Sequence, residues 1–143
     1  MHLVPLVRRV LDDLPMQMTE RVKRILVVED DAAILGIVTD ILVTEGYDVS
    51  AARDGEEALA SLEHARPDVI LLDRRMPIMN GDQFIARFRS HRHAEVPVLA
   101  FAAAREIETW SKEIGAVGFI AKPFQLEDLL AAVQRATASE WAG

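Results

Sequence analysis

Five times between Arg24 and Thr137, a short apolar run gives way to a segment whose apolar residues recur every three or four positions. Ile25–Val28, Tyr47–Ala51, Val69–Leu72, Val98–Phe101 and Val117–Ala121 read as strands, the first and third as strands buried on both faces. Between and after them come helical patterns. The first carries Ile34, Ile37, Val38, Ile41 and Leu42, with Gly46 as its stop, and the second carries Ala58, Leu59 and Leu62 behind a cap at Asp54 and ends before Pro67. Phe84, Ile85 and Phe88 follow Gly81, Ile107, Trp110 and Ile114 precede Gly115, and Leu126, Leu129, Leu130 and Val133 close the series. Strict strand–helix alternation with short connections leaves little choice of architecture, because each parallel crossover needs a helix and is right-handed. The expectation is one α/β domain: a doubly wound five-stranded parallel sheet with five helices on its two faces.

A chain of 143 residues with half of them apolar is long enough for one such core. No apolar run approaches the roughly 18–20 residues that span a bilayer, so no membrane association is expected. A net charge of −7 argues against direct nucleic-acid binding, which rests on clustered Lys and Arg. Cysteine is absent, which excludes disulfides, Cys-based zinc sites and thiol catalysis, and points to a reducing, cytoplasmic compartment.

In a doubly wound sheet, ligands collect outside the carboxyl ends of the strands. Strand one ends in Glu29-Asp30-Asp31, strand three in Asp73, and strand five runs into Lys122-Pro123. If strands one and three are neighbours, these groups share one pocket. Two carboxylates about 4 Å apart repel by roughly 4 kcal/mol at an effective dielectric near 20, so such a cluster needs cations. A lysine and a divalent ion with oxygen ligands would supply them, and Mg²⁺ suits a site of few carboxylates plus phosphate oxygens. The set then has the parts of a phosphoryl-transfer apparatus: carboxylate nucleophile, metal and ammonium. Each element also has a plainer reading: Asp31 as a helix cap, Asp73 as a turn residue, Lys122 as a solvated lysine.

Taken together, ILVVEDD (Ile25–Asp31), VILLDRRMPIMNG (Val69–Gly81), PVLAFAA (Pro97–Ala103) and GAVGFIAKPF (Gly115–Phe124) resemble the receiver domain of two-component response regulators, of the stand-alone, chemotaxis-regulator kind. The resemblance covers about Arg24–Thr137. It implies the flavodoxin-like strand order 2-1-3-4-5, Glu29 and Asp30 as the acidic pair that holds Mg²⁺, and Asp73 as phosphoacceptor and metal ligand. It further implies a metal-shell carbonyl from Arg75, Lys122 as the lysine that pairs with the phosphoryl group, a cis Lys122–Pro123 bond, and Phe119 as the aromatic switch. One position departs: the Thr or Ser usual at the end of strand four is Ala102, which has no hydroxyl to offer. The Arg75 side chain is a bulky cation beside the acceptor, left open between shielding the phosphoryl group, pairing with it and pointing to solvent.

Other residues have plainer expectations. His91 and His93, two apart near the end of helix three, do not share a helical face and do not form a metal site. Met76 and Met79 are packing residues, Gly36 a close-packing position, and Trp110 a core residue or a partner surface. Residues 1–22 read as an extension, either a short amphipathic helix carrying Leu6, Val7, Val10, Leu11 and Leu14 or a leader preceding a true start at Met16 or Met18. The domain then spans 23–138, with 139–143 a tail and no output domain attached.

Three functions compete. The first is a signalling switch, not an enzyme, phosphorylated on Asp73 by a histidine kinase or phosphotransfer protein and acting by contact with an unknown downstream protein, a homodimer being compatible with it. The second is an interaction module independent of phosphate, motivated by Ala102. The third, an aspartate-based phosphatase, is disfavoured because Arg75 stands where such hydrolases place a second acid.

Overall fold

The computed structural model describes residues 21–138. Five parallel strands, β1 (Arg24–Val28), β2 (Asp48–Ala52), β3 (Val69–Asp73), β4 (Val98–Ala103) and β5 (Gly118–Lys122), form one sheet in the order β2-β1-β3-β4-β5. They alternate with α1 (Ala32–Thr44), α2 (Gly55–His64), α3 (Gly81–Phe88), α4 (Ala104–Glu113) and α5 (Leu126–Thr137). The α/β expectation and the strand order both hold. The connection reverses direction between β1 and β3, which places a crevice above their carboxyl ends.

Alternation along the strands divides the core between the two faces. Val69 and Leu71 pack with Val38 and Leu42 of α1 and Leu129 and Val133 of α5. Ile70 and Leu72 pack with Leu62 of α2, Phe84 and Phe88 of α3, and Trp110 of α4. Continuing the period of two, Glu29 follows Ile25 and Val27, Asp73 follows Val69 and Leu71, and Lys122 follows Ile120. All three strand-end residues thus belong to the α1/α5 side of the sheet, and the fold brings them together without any special loop.

Helix starts follow their caps. Asp31 Oδ1 accepts from the backbone N–H of Ala33 and Ile34, and Asp54 accepts from Glu57. Asn80 and Gln83 form a reciprocal capping box at α3. Trp110 is fully buried and belongs to the core, not to a partner surface. Met76 and Met79 are buried as expected. His91 bonds Glu63 at 2.7 Å and lies beyond the end of α3. Among the described residues no helix is long and apolar enough to cross a membrane. The helix or leader reading of the N-terminal segment falls outside the described residues, except that Arg21 makes a two-pronged bond to Asp68.

Gly36 is a correction. A Cβ built there meets nothing within 4 Å, so it is not a close-packing glycine. The close-packing positions are Gly55, set against Met79, and Gly81. A Cβ on Gly81 would lie 2.6 Å from the Asp73 carbonyl oxygen and 2.9 Å from Arg74 Cα. Backbone atoms cannot rotate aside as a side chain can. Gly81→Ala should therefore cost about 1–3 kcal/mol, whereas Gly36→Ala in the exposed helix should add roughly 0.5–1 kcal/mol. Urea unfolding of the two variants checks the contrast; equal effects would contradict the packing.

Candidate functional site

The site begins with the β3–α3 connection, residues 74–80, which the fold pins at three points. Gly81 N–H donates to the Arg74 carbonyl at 2.7 Å, Gly55 N–H to the Met79 carbonyl at 2.8 Å, and Met79 N–H to the Pro77 carbonyl at 2.7 Å. The last bond closes a three-residue turn around Ile78, whose φ is 69° and whose side chain is exposed. A β-branched residue in the left-handed region is strained. Ile78→Gly should relieve this and stabilise the protein by roughly 0.5–1 kcal/mol, read by urea unfolding; a loss of stability would show the turn to be unstrained.

Above β1, β3 and β5 the carboxylates and the lysine meet. Lys122 Nζ donates to Glu29 Oε1 at 2.5 Å and to Asp73 Oδ1 at 3.0 Å. Glu29 Oε2 accepts from Asp31 N–H at 3.0 Å, and Asp73 Oδ1 also accepts from Arg74 N–H at 2.8 Å. Asp73 Oδ2 receives no N–H donor among the described residues. Glu29 and Asp73 are buried while Asp30 is exposed, yet all three present oxygens within 4.8 Å of one another. Phe101 lies beneath the ammonium, 4.6 Å from Nζ to the ring centroid.

Burial first, and the Glu29 carboxylate second, push the Asp73 carboxyl up to about 7, against the pull of Lys122. Burial alone would depress the Lys122 ammonium, but the two carboxylates outweigh it and hold it above its usual value. Within the cluster itself one ammonium faces three carboxylates, so these three acids are short of positive charge. Hard oxygen donors in that number suit a small divalent cation held by Glu29, Asp30 and Asp73.

Arg75 and Ala102 line the same pocket as Asp73. The Arg75 side chain is 72% exposed, and its guanidinium touches no carboxylate of the triad. It bonds Glu106 on α4, with Nη2 2.8 Å from Oε1. Ala102 is buried in the last-but-one position of β4, opposite Ala121. Among the described residues no Ser or Thr lines the pocket. Phe119, on β5, is 44% exposed. The Lys122–Pro123 bond is cis.

Residues that sequence reasoning passed over are Glu106 and Arg74. Arg74 bonds Asp82 at 3.1 Å and Glu106 at 2.8 Å while covering the Trp110 ring, whose Nε1–H donates to Asp82 at 2.7 Å. Nothing in the local sequence marks Glu106, because its partners lie 31 and 32 residues upstream.

A doubly wound sheet of this order, with an acidic cluster facing a lysine at its switch point, is the arrangement of a receiver domain. The chain belongs to the response regulator receiver domain family, whose model matches residues 25–134. Among curated proteins it is similar to the transcriptional regulatory protein PdtaR of Mycobacterium tuberculosis, 33% identical over 115 residues that make up 80% of this chain and 56% of that protein. It is also similar to the transcriptional regulatory protein PrrA of Mycobacterium leprae, 36% identical over 113 residues, 78% of this chain and 48% of that one. The chain thus spans about half the length of these relatives. Among solved structures it is similar to the chemotaxis response regulator CheY4 of Vibrio cholerae, with a TM-score of 0.74, 36% identity, and coverage of 81% of this chain and 99% of that one. This is a receiver module of two-component signalling.

Proposed function

We propose that this receiver takes a phosphoryl group onto Asp73 in a Mg²⁺-dependent reaction, from a histidine kinase or phosphotransfer protein, and signals by protein–protein contact. The observation that carries the reading is the contact of Lys122 with both Glu29 and Asp73, in a pocket whose acid exceeds its base. Glu29, Asp30, Asp73 and the Arg75 carbonyl would hold the ion. When bound, it neutralises carboxylate charge and polarises the phosphoryl oxygens.

The chain's own residues do the rest. An Asp73 oxygen attacks the donor phosphorus, and the donor's P–N or P–O bond breaks with its electron pair going to the leaving group. A departing imidazole takes a proton from water, and a departing carboxylate leaves as such. Lys122, already within reach of Asp73, stays as the counter-charge to the new acyl phosphate.

A Mg²⁺ titration followed by melting temperature tests the pocket. The wild type should be stabilised as Mg²⁺ is added, by mass action on the folded state alone. Asp30→Asn should lose most of that gain and start from a higher metal-free melting temperature, since one repelling charge is gone. An Asp30→Asn variant indistinguishable from wild type in both respects would contradict the assignment. The second reading, an interaction module independent of phosphate, draws on one observation: buried Ala102 stands where receivers place a hydroxyl.

A further inference from the structure

A phosphoryl group on Asp73 brings three acceptor oxygens and about one more negative charge than the carboxylate it replaces. Lys122 and a bound cation answer part of that demand. The hydroxyl that receivers supply from β4 is missing at Ala102, and among the described residues no Ser or Thr elsewhere in the pocket takes its place. Of the three guanidinium groups that line the pocket with Glu106, Arg105 stands on α4 and two, Arg74 and Arg75, directly follow Asp73.

The two arginines are held very differently. Arg74 is committed: Nε bonds Asp82 at 3.1 Å, Nη1 bonds Glu106 at 2.8 Å, and the group covers Trp110 at 5.4 Å, with only 25% of its side chain exposed. Among the described residues Arg75 has one side-chain partner, Glu106, at 2.8 and 3.3 Å, and 72% of its side chain is exposed. Glu106 Oε1 accepts from both guanidinium groups. If Arg75 lets go, Glu106 keeps Arg74 and is not left unpaired. Arginine is suited to the exchange, since its planar fork binds a carboxylate or a phosphoryl group in the same two-pronged way, and the more highly charged acceptor wins.

We propose that Arg75 is the phosphoryl-positioning residue of this receiver, leaving Glu106 on α4 for the phosphoryl oxygens of modified Asp73 and so replacing the hydroxyl absent at Ala102. The exchange loosens the first turn of α4 from the β3–α3 connection, so the modification is felt on the α4 face. The inference rests on Asp73 being the phosphoacceptor.

Beryllofluoride, which mimics a phosphoryl group on an aspartate, is the probe, titrated into the full chain with Mg²⁺ present and followed by ¹⁹F NMR and calorimetry. Arg75→Ala should weaken its binding roughly ten- to hundredfold, the range for a hydrogen bond to a charged group. Arg75→Lys should recover part of that loss, because it keeps the charge without the fork. Glu106→Gln should move affinity the other way, tightening it several-fold by removing the competitor for Arg75. Ala102→Thr added to Arg75→Ala should bring affinity back towards wild type.

Wild-type affinity in Arg75→Ala would overturn the proposal, and so would a weakening in Glu106→Gln as large as in Arg75→Ala, which would make the pair a structural brace. The failure of the underlying reading looks different. There, wild type and Asp73→Asn would both show no saturable fluorine signal, and the role of Arg75 would fall with that of Asp73.

Discussion

Lys122→Met should destabilise the metal-free protein by about 3–5 kcal/mol at about pH 8, the cost of leaving buried charge without its partner. Glu29 and Asp73 are both buried, and Lys122 is the cation that bonds each of them. Methionine, one atom shorter, keeps most of the apolar stem of lysine, so most of the packing over Phe101 survives and the loss chiefly reports charge. The pH dependence follows from the same argument. Once the ammonium is removed, the Asp73 carboxyl, already raised by burial and Glu29, binds its proton still more tightly in the folded chain than in the unfolded one, so stability falls as pH rises through its folded pKa and recovers as pH falls. Urea unfolding in chelator at about pH 8 and about pH 5 should show most of the destabilisation gone at the lower pH. An equal loss at both values would mean that Lys122 acts by packing alone.

Asp73→Asn should do the opposite. The folded-state carboxyl, at about 7, lies above its ordinary 3.8, so the folded protein holds a proton that the unfolded chain releases between those values. Metal-free stability therefore falls as pH rises across that window, and above it Asp73 is a standing cost. Asparagine keeps an oxygen for Arg74 N–H and Lys122 but carries no charge. Above pH 7 the variant should gain roughly 1–2 kcal/mol, a gain that shrinks as pH is lowered towards 3.8. An asparagine variant less stable than wild type at neutral pH would show that burial and Glu29 together do not make the Asp73 charge a cost.

These effects come from residues whose meeting was legible in the sequence, because strand alternation and strand order fix where a strand end points. Glu29, Asp73 and Lys122 each continue an apolar alternation that is visible from Ile25, Val69 and Ile120. Strand ends built from alanine were less legible. β4 was expected to end at Phe101 but runs to Ala103, since Ala102 and Ala103 pair with Ala121 and Lys122 although alanine carries little strand preference. As a result α4 begins at Ala104 without an intervening loop, and Glu106 comes to sit in its first turn. The β2 boundaries slipped by one residue because Tyr47 N–H bonds the Leu42 carbonyl and closes α1. Gly36 and Gly81 look alike as letters. Only the approach of the β3 backbone to one of them distinguishes a removable glycine from an obligatory one. Likewise Ile78 shows nothing of its backbone strain, which is imposed by the bonds that pin residues 74–80.

The measurement that bears most directly on the account is intact-mass analysis after incubation with acetyl phosphate, a small acyl-phosphate donor, with Mg²⁺ or with chelator. Wild type with Mg²⁺ should gain one phosphoryl group, with little or none in chelator and none in Asp73→Asn, and the label should map to the peptide that contains Asp73. Label that persists in Asp73→Asn, or a wild-type chain left unmodified under conditions that label an ordinary receiver, would contradict it.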